Sequence, residues 1–163
     1  CIPQGWIWQG GIALALVMFG DSVDGTLARM TTGGTRFGAF LDSTLDRLAD
    51  GAVFGSLTAF AVFRMNESPV RTWVIVAGIC SIIGAAAVPY ARARAESIGV
   101  VAKLGIAERT DRLIVGMGSA IVMSVGAPAW VLALGLTWVA FASFITVCQR
   151  IWFTARHIDE GAQ

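Results

Sequence analysis

Four aspartates, Asp21, Asp24, Asp42 and Asp46, fall within 26 residues of a chain whose apolar stretches approach the length needed to span a bilayer. Carboxylates in such surroundings are costly and are kept where they bind or transfer something. At about 100° per residue, Asp21, Asp24, Gly25 and Ala28 share one face of a helix, and Gly38, Asp42 and Asp46 share one face of the next. A helix hairpin would bring the two acidic faces together. Carboxylates ~5 Å apart repel by about 3 kcal/mol per pair at an effective dielectric near 20, so four of them require compensating charge. Hard oxygen donors with no histidine or cysteine nearby select Mg²⁺ or Mn²⁺ over zinc, and four carboxylates suit two ions.

The surroundings of that cluster define the fold class. Of 163 residues, 56% are hydrophobic and 14% charged, with a mean hydropathy of +0.70. This composition predicts an all-α, polytopic membrane bundle forming one domain over 1–163. Five spans are expected, at about 6–28, 38–63, 72–95, 110–126 and 129–152. The turns between them are marked by Gly33-Gly34, by Asn66-Glu67-Ser68-Pro69, by the longer stretch from Ile98 to Ala107, and by Gly126-Ala127-Pro128. Cys80 and Cys148 are expected as free thiols, and His157 lacks the companions a metal site requires.

Charge placement orients the bundle. Arg29, Arg36, Arg47, Arg92, Arg94, Lys103, Arg109, Arg112, Arg150 and Arg156 flank one side of the expected spans, whereas Arg64 and Arg71 flank the other. The richer side is read as cytoplasmic, in a multi-pass protein of the cell membrane. Nothing in this distribution calls for a nucleic-acid partner. The topology places residue 1 on the opposite side, and the chain begins with Cys1, so a preceding helix and a total of six spans are expected for the full-length protein.

From Asp21 to Asp46 the spacing is D-x2-D-G-x2-A-R-x8-G-x3-D-x3-D, eight residues fixed in register. This pattern resembles the signature of the CDP-alcohol phosphotransferase family of membrane enzymes. The similarity extends to Gly33–Gly38 (GGTRFG), Asp46–Phe54 (DRLADGAVF), Tyr90–Ser97 (YARARAES) and Glu108–Ile114 (ERTDRLI), segments that look like the branch whose acceptor is an inositol phosphate. The resemblance implies transfer of a phosphatidyl group from CDP-diacylglycerol to an alcohol, with CMP leaving. It assigns Asp21, Asp24, Asp42 and Asp46 to the metal site and makes Asp46 also the general base. Gly25, Ala28, Arg29, Thr35 and Gly38 become contacts of CDP-diacylglycerol, and the assembly a homodimer. Asp50, one turn beyond Asp46, is read as a helix cap or a partner of Arg47.

The acceptor is read from a second cluster. Arg92, Arg94, Arg109, Arg112 and Arg150 come from three cytoplasmic helix ends, and their forked donors suit a phosphate dianion. That favours inositol phosphate over a neutral alcohol. Arg92 stands where the resembling branch carries lysine, which keeps the charge and changes its geometry. Two alternatives remain at this point. Glycerol 3-phosphate would also want an arginine cluster, giving a phosphatidylglycerophosphate synthase; a divalent-cation transporter could likewise use intramembrane aspartates, though these acids lie towards one surface and no repeat is visible.

Overall fold

A computed structural model describes residues 35–102, 104–106 and 108–157, and among them every regular element is a helix. The helices are α1 (Arg36–Arg64), α2 (Pro69–Ser97), α3 (Arg109–Ser124) and α4 (Trp130–His157). Each boundary has a local chemical cause. The Thr35 hydroxyl accepts the Gly38 N–H at 3.0 Å and starts α1. The Ser68 hydroxyl accepts the Arg71 N–H at 3.1 Å and starts α2, with Pro69 at the first helical position. Arg71 also reaches back across the turn, donating from Nε to the Ala61 carbonyl at 3.2 Å and from Nη2 to that of Val62 at 2.9 Å, acceptors in the last turn of α1. At the far end of α2, Gly99 takes φ +85° while the Val100 and Gly99 N–H groups return to Ala95 and Glu96, the double closure that ends a helix at a left-handed glycine. Gly126 ends α3 in the same way, with φ +109°.

Contacts between helices fix their directions. A Cβ on Gly84 would lie 2.6 Å from that of Ser143, and Ser81 Oγ approaches the Leu136 carbonyl at 2.9 Å. Trp73 Nε1 donates to Thr137 Oγ1 at 2.9 Å, so α2 and α4 run parallel along their most extensive interface. Gly78 faces Thr58 across α1 and α2, which are antiparallel, and Gly135 faces Ser119 across α3 and α4. Small residues at these crossings let the backbones approach, as in membrane bundles. The α1–α3 contact is much narrower than these three, with Gly116 against the ring of Phe54. Phe54, Leu57, Val74, Leu132, Leu136 and Val139 form the buried centre.

The four described helices coincide within a few residues with four of the expected spans; the fifth, 6–28, lies outside the described residues. Five or six membrane spans are nevertheless more than the structure supports. Only α2 and α4 among the described helices are both long and apolar enough to cross a bilayer. The 29 residues of α1 include Asp42, Asp46, Arg47 and Asp50, and α3, at 16 residues, reaches about 24 Å at 1.5 Å per residue, short of a ~30 Å hydrocarbon core.

Candidate active site

The alternating directions bring the N-terminal half of α1, the C-terminal turns of α2 and α4, and the first turn of α3 to one end of the bundle. There they surround an open pocket of about 480 Å³. Its lining includes Asp46, Arg47 and Asp50 from α1, Arg92 from α2, Glu108 at the start of α3, Arg109 and Arg112 from α3, and Arg150 from α4. These residues comprise five arginines and three carboxylates, an excess of two positive charges. A phosphate dianion would balance it.

An ion-pair network joins α1 to α3. Arg109 Nη1 lies 2.8 Å from Asp46 Oδ1, and the same guanidinium donates from Nε to Asp50 Oδ1 at 3.1 Å. Arg112 Nη2 donates to Asp50 Oδ2 at 3.1 Å. Asp50 and Arg112 are buried, at 4% and 3% exposure, so their charges are sustainable only because they meet. The sequence reading of Asp50 as a cap or a partner of Arg47 is thereby corrected. Its partners come from 59 and 62 residues further along the chain, while the Arg47 side chain bonds the Ser43 carbonyl one turn back on α1.

The other expected acceptor-site arginines divide. Arg92 lines the pocket and pairs with Glu96 at 2.8 Å. Arg150 lines it too, but its Nε donates to the Leu104 carbonyl at 2.9 Å and its Nη1 to that of Val88 at 2.6 Å. It thus braces the 98–108 connection against α2 as well as charging the pocket. The same connection rests on α4 through Gly105, whose φ of +145° and closeness to the Thr146 side chain leave no room for a Cβ. Arg94 is not brought in; it is exposed, with Nη1 3.3 Å from Ser97 Oγ. Positions two apart on a helix lie about 200° apart, so Arg92 and Arg94 face opposite ways. That signal was available in the sequence. Arg47 and Glu108 are pocket residues the sequence reading did not place there.

On the donor side, Asp42 lies exposed one turn before Asp46 on the same face of α1. Thr35 and Gly38 sit at the start of that helix, where a Cβ on Gly38 would come within 3.2 Å of Thr35 Oγ1. Asp21, Asp24, Gly25, Ala28 and Arg29 lie outside the described residues. Among the described residues no group of three or more acidic, histidine or cysteine ligands gathers. Asp42 and Asp46 nonetheless offer only oxygen donors at helical spacing, a set that fits a hard divalent cation and supplies half of the expected ligands.

Residues 1–146 match the CDP-alcohol phosphatidyltransferase family, and this chain belongs to it. It is 40% identical over 158 residues to a phosphatidylinositol phosphate synthase of Cutibacterium acnes, covering 93% of this chain and 74% of that protein. It is also 40% identical over 149 residues to the synthase of that name from Mycobacteroides abscessus, covering 91% of this chain and 66% of the relative. The fold superimposes on the Mycobacterium tuberculosis phosphatidylinositol phosphate synthase with CDP-DAG bound, at a TM-score of 0.85 and 34% identity, over 94% of this chain and 76% of that one. A second crystal structure of that enzyme, in complex with manganese and citrate, gives the same TM-score and identity over 94% and 73%.

Proposed function

We propose that this chain transfers the phosphatidyl group of CDP-diacylglycerol to 1D-myo-inositol 3-phosphate, giving phosphatidylinositol phosphate and CMP. The observation that carries this reading is the pocket itself, in which five arginines from four helices, two more than the carboxylates beside them, adjoin Asp46, the last aspartate of the family motif. The relatives named for this activity, at 40% identity, support the same acceptor.

The chemistry is displacement at the phosphorus that carries the diacylglycerol. An inositol hydroxyl attacks, the bond to the CMP oxygen breaks, and the hydroxyl proton passes to Asp46. Arg112, Arg109, Arg92 and Arg150 hold the acceptor phosphate so that this hydroxyl points at the aspartates; Arg94 keeps only its expected place at the same end. Asp21, Asp24, Asp42 and Asp46 would hold divalent Mg²⁺ or Mn²⁺, read as two ions, whose role is to neutralise the pyrophosphate oxygens and the departing CMP. Gly25, Ala28 and Gly38 leave the backbone open to a nucleotide, and Thr35 and Arg29 are its proposed polar contacts. The Thr35 oxygen already accepts from Gly38, so Thr35 would serve the nucleotide as a donor.

The family and the two apolar helices support membrane association. The five-span topology is kept as part of this proposal, with the charged face of α1 turned to the pocket and Phe37, Phe40, Leu41, Leu45 and Leu48 exposed on its outside. The arginine-rich pocket end is read as cytoplasmic and the assembly as a homodimer. The deciding experiment is CMP release in detergent or liposomes with a panel of alcohols and phospho-alcohols. Turnover on inositol phosphate with little on inositol is expected, and preference for glycerol 3-phosphate would reassign the acceptor.

A further inference from the structure

We propose that Asp50 is a positioning residue for the acceptor site, setting the two α3 arginines at the height and angle at which they meet the acceptor phosphate. This rests on the acceptor reading given above. Asp50 lies outside the spaced motif that ends at Asp46, and the pocket arginines alone give it no role.

The geometry assigns it one. Arg109 and Arg112 are three residues apart in the first turn of α3, on one helix face, and would repel each other across a pocket that already holds Arg92 and Arg150. The Asp50 carboxylate takes one bond from each, through different oxygens, both at 3.1 Å. Two anchors on a single planar group fix both guanidinium planes. Asp50 is 4% exposed, which leaves water little access to replace it, and because α1 touches α3 only narrowly, its two bonds and the Arg109–Asp46 pair carry the polar contact between these helices at this end. Arg109 is held by Nε on Asp50 and reaches Asp46 with Nη1, so the residue that orients the acceptor arginines also spaces them from the reacting aspartate. Asp46 and Asp50 are one helical turn apart, and the offset between donor and acceptor halves is thereby fixed by α1 itself.

Charge and position are separable here. Asp50→Glu keeps the anion and moves it by one methylene, whereas Asp50→Asn keeps the shape and removes the charge. A positioning role predicts that Asp50→Glu raises the KM for inositol phosphate about fivefold to thirtyfold, with a much smaller change in the KM for CDP-diacylglycerol. In a double-mutant cycle, Asp50→Glu added to Arg112→Gln should cost far less than it costs alone. Both variants are read in the full chain, alongside thermal unfolding in detergent. Wild-type acceptor KM in a folded Asp50→Glu protein overturns the proposal, as do equal effects on both substrates or full additivity with Arg112→Gln. If Asp50→Asn does not fold, the Asp50→Glu arm still decides. Arg112→Gln measured by itself tests the underlying reading: no rise in its acceptor KM would sink the acceptor site, whereas a rise there with none in Asp50→Glu would sink only the role of Asp50.

Discussion

Arg109 Nη1 and Asp46 Oδ1 stand 2.8 Å apart, joining the first turn of α3 to the last aspartate of the motif on α1. The proposed acceptor arginines and the proposed base are therefore parts of one electrostatic unit.

Asp46→Asn keeps an oxygen for weak coordination but cannot take a proton at neutral pH. It is expected to keep its fold, because Asp50 still holds Arg109, and to lose about 10²- to 10⁴-fold in the single-turnover rate of CMP release. Affinity for CDP-diacylglycerol should survive. Lost binding with an unchanged chemical step at saturation would leave Asp46 as a ligand only.

Arg112→Gln and Arg150→Gln should fail differently. Arg112 meets a buried carboxylate, and its loss is expected to raise the acceptor KM roughly tenfold to a hundredfold, as for a hydrogen bond to a charged group worth about 1.5–3 kcal/mol. Arg150 also braces two backbone carbonyls, so its variant should in addition unfold at lower temperature. Identical melting curves for the two variants would refute that distinction.

Removal of divalent cations with a chelator should abolish CMP release, and Mg²⁺ or Mn²⁺ should restore it. Asp42→Asn is expected to need a higher metal concentration for any activity that remains, read by titrating Mn²⁺ binding with electron paramagnetic resonance. Asp21→Asn and Asp24→Asn should behave alike. Wild-type Mn²⁺ affinity in any one of the three would remove that residue from the ligand set.

Gly84→Ala tests the helix crossing rather than the chemistry. A methyl group 2.6 Å from the Cβ of Ser143 must push α2 from α4, at a cost of about 1–3 kcal/mol for overpacking. A fall in unfolding temperature is expected. A double variant that also carries Ser143→Gly should recover most of the loss.

Legibility in the sequence followed the range of the interaction. The ends of α2 were near their expected places because Ser68-Pro69 and Gly99 carry their instructions within a few residues. The arginine cluster was readable as a set of loop-flanking charges, and four of its five members line the pocket. Arg94 was misplaced by sorting charges by loop and ignoring helical phase. Asp50 was misread because its partners lie 59 and 62 residues away, and no local spacing encodes a tertiary pairing. The span count goes beyond what length and composition of the described helices support, because α1 carries charges along one face and α3 is only 16 residues long; whether such helices cross a bilayer depends on the assembled bundle rather than on the segment.

The connections at the two ends of the bundle differ in length, and this bears on how such a scaffold diversifies. Far from the pocket, α1 meets α2 and α3 meets α4 through short turns; an added residue there would rotate a helix by about 100° and slide it ~1.5 Å, carrying arginines away from carboxylates. The 98–108 connection is longer and forms part of the pocket floor through Leu104 and Gly105. Insertions and deletions within it can reshape the space for the acceptor while every helix keeps its register. Lineages that exchange one phosphorylated alcohol for another should therefore vary most in that segment and least in the turns at the opposite end.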